Sequence, residues 1–313
     1  MADAPEGTRA FWLTADDGVR LRAACHHPDG ARGTVLLFTG RTEYVEKYGP
    51  AMGELARGGL ATLTCDWRGQ GLSDRLTENT LTGHVSDFAE YQSDVAALCA
   101  TAREMDLPRP WHLLAHSMGG AIGLRALMEG LPVASAAFSA PMWGITVAPV
   151  VKPLAWGISW LATRTGFDTR YPPGTSSKNY PNAVSFDDNL LTSDRARFDW
   201  MARQTAEHRD LALGGPSLRW LYEALAECRH LGRRPSPGLP CVTFYGSEEA
   251  IVDSTAIETR MARWPGGTLH RFDDVRHEPL MERPDIRDRV FDTLHAHFRT
   301  PQDGETMAAG TGT

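Results

Sequence analysis

The fold is decided by Trp111–Arg125, WHLLAHSMGGAIGLR. The stretch opens as a short apolar strand (Trp111, Leu113, Leu114), turns sharply at Ser117, and continues as a helix from Gly119-Gly120 through Ile122, Leu124 and Leu127. A serine in a strained strand-to-helix turn stands clear of its sheet, and the next backbone N–H faces an incoming carbonyl. Strand and helix almost touch at such a turn, so the flanking positions must be small. They read Ala115-His116-Ser117-Met118-Gly119, with Ala where the G-x-S-x-G pattern has its first Gly. An ordinary exposed serine after a strand fits these five residues too, because short patterns match by chance.

The rest of the chain supplies the context that such a turn requires. Upstream, Arg9–Thr14 and Leu21–His27 read as strands around the hairpin signal Asp16-Asp17-Gly18. Thr34–Thr39, Leu60–Cys65 and Val133–Phe138 are continuous apolar runs, as expected of strands buried on both faces of a parallel sheet. Helical patterns separate them: Tyr48–Arg57, stopped by Gly58-Gly59, and a longer one carrying Val85, Phe88, Tyr91, Val95 and Leu98. The alternation halts at Pro141 and resumes near Pro240 with strand Pro240–Tyr245, helix Ser254–Arg263, strand Thr268–Phe272 and helix Pro284–Phe298. The pattern predicts an α/β fold, a mostly parallel sheet flanked by helices. Right-handed crossovers then place every strand-to-helix loop along one sheet edge.

Between Pro141 and Pro235 only helical patterns and loops occur. Val150, Leu154, Ile158 and Leu161 share one helical face, with Trp156 and Trp160 on another; further helices are expected at Ser193–His208 and Ser217–Leu231, around a loop at Arg170–Asn189. The expected organisation is core 1–140, helical cap 141–235, core 236–300, and a polar, disordered tail 301–313.

Composition excludes several classes of function. The net charge is −7 with no basic block, which argues against nucleic acid and against strong adsorption to anionic lipid. The N-terminus has neither a basic region nor an apolar one of signal-peptide type, and no run of about 18 apolar residues could span a bilayer. Five Cys at 25, 65, 99, 228 and 241 have no metal-type spacing and point to reduced thiols in a cytoplasmic protein. No motif bears on oligomeric state.

A serine hydroxyl needs a base, and the base needs a third group to fix its tautomer. His277 lies in the loop after the last predicted strand; His270 is inside that strand, His295 and His297 ride the terminal helix and are expected to be solvated, and His116 is too constrained to reach its neighbour's hydroxyl. The acid is sought in Gly246–Asp253, where Glu249 is preferred. Its rival Asp253 reads as the N-cap of the following helix. The backbone N–H groups of Met118 and Arg41 are the candidate oxyanion donors. The Arg41 guanidinium is expected either in a surface ion pair with Glu43 or Glu46 or, with Lys152 and Arg164, on an anionic substrate group.

Taken together, TGRTEYVEKYG (Thr39–Gly49), DWRGQGLSDR (Asp66–Arg75), AHSMGGAIGLR (Ala115–Arg125), GSEEAIVD (Gly246–Asp253) and VRHEPLMERPDIRDRV (Val275–Val290) resemble the α/β-hydrolases of the bacterial lysophospholipase and monoacylglycerol lipase type. The resemblance runs from Leu36 to Phe298. It implies an eight-stranded, mostly parallel sheet with an inserted helical cap, Ser117 as nucleophile, His277 as base, the Glu249 position as acid, and the Arg41 and Met118 amides as oxyanion hole. Ala115 and Glu249 depart from the family's usual Gly and from the Asp of many relatives. The implied activity is carboxylic-ester hydrolysis without metal or cofactor, on a lipid or small ester. Gly40 and the aromatic residues Trp143, Trp156 and Trp160 are the expected substrate contacts, and the Val147–Leu161 face is available for transient contact with a bilayer or the inner membrane surface. Core packing explains the same tryptophans equally well. A broad carboxylesterase or thioesterase for small acyl groups and a non-catalytic ligand-binding homologue are the alternatives.

Overall fold

Apolar runs buried on both faces need helices above and below, and that arrangement is found in a computed structural model of the chain, which describes residues 3–147 and 152–299. Eight strands form one sheet in the order β1-β2-β4-β3-β5-β6-β7-β8. β1 (Arg9–Thr14) and β2 (Arg20–His26) make the antiparallel hairpin, with Gly18 at φ +88° in its turn. β2 also pairs antiparallel with β4 (Ala61–Cys65). All other pairings are parallel, through β3 (Thr34–Phe38), β5 (Trp111–His116), β6 (Ser135–Ser139), β7 (Cys241–Gly246) and β8 (Gly267–Phe272).

Every residue of β3 to β7 is buried, and alternation along each strand sends side chains to two cores. Leu36, Phe38 and Leu113 face the side packed by α2 (Tyr91–Glu104) and α3 (Met118–Met128). Val35, Leu37, Leu114 and Phe244 face α1 (Gly49–Arg57) and α9 (Pro284–His297). α2 begins at Tyr91, later than the apolar spacing predicts. The Asp87 carboxylate accepts the Ala89 N–H and caps a short 3-10 turn over Phe88–Glu90, which leaves Val85 outside the helix. His295 and His297 are half-buried rather than fully solvated: their Nε2 atoms bond the Glu54 and Ala136 carbonyls at 2.8 and 3.0 Å.

Between β6 and β7 the described residues form helices and no named strand: α4 (Lys152–Thr165), α5 (Tyr180–Ala183), α6 (Arg195–Glu207) and α7 (Leu218–Arg233). Asp194 and Ser217 cap α6 and α7 with side-chain oxygens. α4 packs on α7 through Trp156, which meets Tyr222 edge to face. Its Leu154/Leu161 face is instead exposed, at 59% and 54%. Val150, expected on that face, and the 301–313 tail lie outside the described residues. α8 (Ser254–Met261) completes the core.

This topology determines where the site lies. β3, β5, β7 and β8 are parallel, so the segments that follow them, Gly40-Arg41, Ser117, Glu249 and His277, emerge on one edge of the sheet.

Candidate active site

Ser117 occupies a backbone conformation that few side chains accept, φ +49° and ψ −118°. The turn is tied to β6: Ser117 N–H donates to the Ser139 carbonyl at 3.0 Å, and Met142 N–H donates to the Ser117 carbonyl at 2.8 Å. The glycines beside it are dictated by contact distance. A Cβ on Gly119 would lie 2.4 Å from the Phe38 carbonyl oxygen, and one on Gly120 2.5 Å from Pro141 Cβ. One helical turn on, a Cβ at Gly123 would lie 2.9 Å from Leu113 Cδ2, so α3 approaches β5 closely there as well, and Ala115 is buried in that contact.

Three predicted residues meet in line. His277 Nε2 lies 2.9 Å from Ser117 Oγ, and His277 Nδ1 lies 2.7 Å from Glu249 Oε2. The other Glu249 oxygen, Oε1, accepts the N–H groups of Ile251 at 2.7 Å and Val252 at 3.1 Å. Burial would neutralise Glu249, but the His277 contact and these two N–H groups outweigh it and hold the carboxyl below its ordinary 4.5. Burial likewise opposes the His277 imidazolium. Glu249, with Glu278 and Glu43 behind it, overcomes that and raises His277 above 6.5. Asp253, the rival acid, turns away and caps α8 through Thr255 and Ala256 N–H. The arrangement suits proton transfer from Ser117 to His277. Beside it, the Arg41 and Met118 backbone N–H groups donate to no acceptor among the described residues.

A buried ionic cluster, not foreseen in the sequence, supports this site. Glu43 accepts Lys47 Nζ at 2.6 Å and also the Tyr48 hydroxyl and the Gly40 N–H, so its carboxylate fixes the segment that carries Arg41. Lys47 reaches Glu278, the neighbour of His277, at 2.6 Å as well. Gln70, from the DWRGQGLSDR motif, braces the same segment by donating to the Gly40 carbonyl at 2.8 Å and accepting Thr42 N–H at 3.3 Å. His116 lies against Glu43 (3.6 Å) and bonds the Ser139 carbonyl; burial pushes it down to about 3, so it is neutral. Ligand-type atoms of Glu43, His116 and Glu278 lie within 4.8 Å of one another, but the cation between the two carboxylates is the protein's own Lys47. The i, i+4 spacing of Glu43 and Lys47 was the available signal; it reads as a surface pair because only the tertiary fold buries it.

The two carboxylates and single ammonium make a testable point. Lys47→Met is expected to destabilise the fold by about 3–5 kcal/mol, since it leaves buried charges uncompensated. In the wild type Glu43 is held at about 2, so it contributes stability above the ordinary 4.5 that disappears as the pH falls through 2. Burial already raises Glu278 above 4.5; without Lys47, Glu43 is raised above 4.5 as well, and the defect should shrink as the pH drops below that value. Thermal melts of both proteins at pH 4 and pH 8 check this; an equal deficit at both pH values contradicts it.

A cavity of about 520 Å³ opens on Ser117 and His277. Its walls include Val184, Leu190, Leu191, Met201, Leu213 and Ile251, mostly from the helical insert. The expected tryptophans are elsewhere. Trp143 is buried against Phe138 and Trp264 and donates to the Gly120 carbonyl at 3.1 Å. Trp156 packs on Tyr222, and Trp160 lies on the surface under Arg164. None of these indoles lines the Ser117 cavity. Gly40 lies behind the cavity wall, its N–H on Glu43. The Arg41 side chain does line the cavity, bonding the Gly214 carbonyl at 3.0 and 3.1 Å beneath the Trp220 ring. It pairs with neither Glu43 nor Glu46, because Lys47 holds the first and Arg22 the second.

The chain is 33% identical to lysophospholipase L2 of Escherichia coli K12 over 281 residues, 86% of this chain and 79% of that one. It is 28% identical to the probable lysophospholipase L2 of Haemophilus influenzae over 278 residues, 88% and 86% of the two chains. A soluble variant of the monoglyceride lipase of Saccharomyces cerevisiae shares the fold, with a TM-score of 0.69 at 20% identity over 92% of this chain and 95% of that one. Residues 29–284 match the family described as serine aminopeptidase S33 (Hydrolase_4), and with the sheet order and the helical insert already in view, the chain belongs to that family of α/β hydrolases.

Proposed function

We propose that the protein hydrolyses carboxylic esters of lipids, lysophospholipids or monoacylglycerols, through an acyl-enzyme on Ser117. The observation that carries this reading is the Ser117–His277–Glu249 chain opening on an apolar cavity beside two unengaged N–H groups. His277 Nε2 takes the hydroxyl proton as Ser117 Oγ attacks the carbonyl carbon, and Glu249 stabilises the imidazolium through Nδ1–H. The Arg41 and Met118 N–H groups receive the charge that develops on the carbonyl oxygen. The alcohol departs with the proton from Nε2. Water, deprotonated by the same nitrogen, then releases the fatty acid.

The apolar wall suits an acyl chain, and the names of the curated relatives agree with it. The family's name also covers peptidases, whose substrates carry an ammonium group. Here the buried carboxylates nearest Ser117 are occupied by Lys47 or His277, which disfavours that chemistry. Exposed Leu154, Trp160, Leu161 and Phe167 on the insert support transient contact with a bilayer or micelle. None of the five cysteines forms a disulfide, which suits the cytoplasm.

Between the two lipid classes, Arg41 favours the phosphate-bearing one. Arg41 lines the cavity, and its guanidinium, held on the Gly214 carbonyl, has no carboxylate partner among the described residues, whereas Arg164 lies over Trp160 outside it. Arg41→Ala keeps the backbone N–H and removes one charge-assisted contact. It should therefore raise KM for a lysophosphatidyl ester about 10- to 100-fold and leave that for the matching monoacylglycerol within threefold. Arg41→Lys should recover part of the loss. Steady-state kinetics on both substrates with a common acyl chain test this. Equal losses on the two would remove the phosphate reading, and a preference for butyryl over palmitoyl esters would replace lipase by small-ester esterase.

A further inference from the structure

A larger cleft, about 990 Å³, lies between α7, α8 and the segment after β6, and it contains neither Ser117 nor His277. Its ionisable lining is one-sided: Arg229, Arg233, Arg234, Arg260 and Arg263 against the single carboxylate of Asp253. This is a sharp local excess of positive charge in a chain whose net charge is −7. Asp253 is occupied as the N-cap of α8. Arg260 is buried and donates to the Leu231 and Arg234 carbonyls, so it closes the end of α7. Arg234 donates to the Met128 carbonyl at 3.2 Å.

Three arginines remain. Arg229 and Arg233 lie one turn apart on α7, Arg263 follows α8, and all three are exposed. No carboxylate lies within ion-pair distance of any of the five arginines among the described residues. A cation at a helix C-terminus is favoured by the helix dipole, but only within the last turn. The α7 carbonyls are already met by Arg260, and the dipole gives no reason for cations from two helices to converge.

The floor of the cleft is apolar. Trp143, Ile145, Trp156 and Leu225 line it, and α4, which supplies Trp156, also exposes Leu154, Trp160 and Leu161 on its surface. We propose that this cleft binds the phosphate headgroup of an anionic phospholipid, with the phosphodiester held by Arg229, Arg233 and Arg263 and the apolar part against Trp143 and Trp156. Guanidinium groups match phosphate oxygens in a bidentate fork. A long polyanion is disfavoured, because the acidic remainder of the surface repels it, while a single headgroup can enter the cleft. An acidic peptide would leave the exposed apolar residues of α4 without a partner; a lipid surface covers both.

The site is separate from Ser117, so binding and catalysis can be read independently. The intact protein carrying Ser117→Ala is mixed with phosphatidylcholine vesicles with and without phosphatidylglycerol, and the bound fraction is measured by sedimentation. The expected result is tighter binding to the anionic vesicles, weakened by salt. Arg229→Gln/Arg233→Gln/Arg263→Gln should reduce that binding about a hundredfold, while the same three changes in the Ser117 protein leave turnover of a soluble butyryl ester unchanged, which shows that the variant is folded. A competition arm with glycerol 3-phosphate separates the sources: displacement at low millimolar concentration would show a free phosphate site and overturn the lipid assignment. Equal binding to both vesicle types, or a triple variant that still binds phosphatidylglycerol, also overturns it.

Discussion

Ser117→Ala is expected to lower kcat for every ester the protein cleaves by about 10⁶-fold, the scale on which serine-hydrolase activity falls when the nucleophile is removed. The loss should be purely chemical. Ser117 Oγ is engaged by His277 Nε2, whereas the turn itself is held by backbone bonds to Ser139 and Met142 that alanine retains. The unusual φ is a property of the turn, and alanine strains it no more than serine does. The melting temperature should therefore stay within about 2 °C, a shift of order 1 kcal/mol or less. Burst kinetics with a para-nitrophenyl ester, fluorophosphonate labelling and a melt check all three statements. A variant within tenfold of wild type would remove Ser117 from the chemistry.

Ester hydrolysis and the α/β-hydrolase fold were legible because their signals are local. β3 and β5 announce themselves as unbroken apolar runs, and the Ser117 turn requires small residues at fixed neighbouring positions. His277 could be singled out because the topology leaves few histidines at the correct sheet edge. What could not be read depends on burial. Glu43 and Lys47 have the spacing of a helix-surface pair, and only packing against Glu278 and the Gly40 segment turns them into the support of the site. The tryptophans misled for the same reason: periodicity does not say which neighbour an indole meets, and Trp143 packs on Phe138 while Trp156 meets Tyr222, both away from the Ser117 cavity. α4 likewise shows amphipathic spacing, yet its Leu154/Leu161 face is exposed and the Trp156 side is packed.

The second large effect concerns Glu249, and its atoms specify the outcome. Oε1 accepts two backbone N–H groups, from Ile251 and Val252, while Oε2 faces His277 Nδ1. In Glu249→Gln the amide oxygen must stay on those two N–H groups, so the NH₂ is placed opposite Nδ1. An NH₂ cannot accept a proton, so Nδ1 becomes the acceptor and the imidazole hydrogen moves to Nε2. That nitrogen then points a hydrogen at Ser117 Oγ and cannot take its proton. A wrong tautomer of this kind lowers kcat by about 10⁴-fold. The charge is lost as well. In the wild type Glu249 helps hold His277 above 6.5, and activity falls as the pH drops through that raised value. Without the carboxylate the imidazolium is less stable, so the acid limb of the residual kcat/KM profile should move to lower pH. Glu249→Asp keeps the charge one methylene short and should retain more activity, with its acid limb nearer that of the wild type. Asp253→Asn should change kcat by less than about threefold and act instead on stability, by about 1 kcal/mol, as a weakened helix cap. Full pH–rate profiles of the three variants separate these outcomes. If Asp253→Asn shows the 10⁴-fold loss and Glu249→Gln does not, the acid is Asp253, and the Glu249–His277 contact serves only to hold the loop.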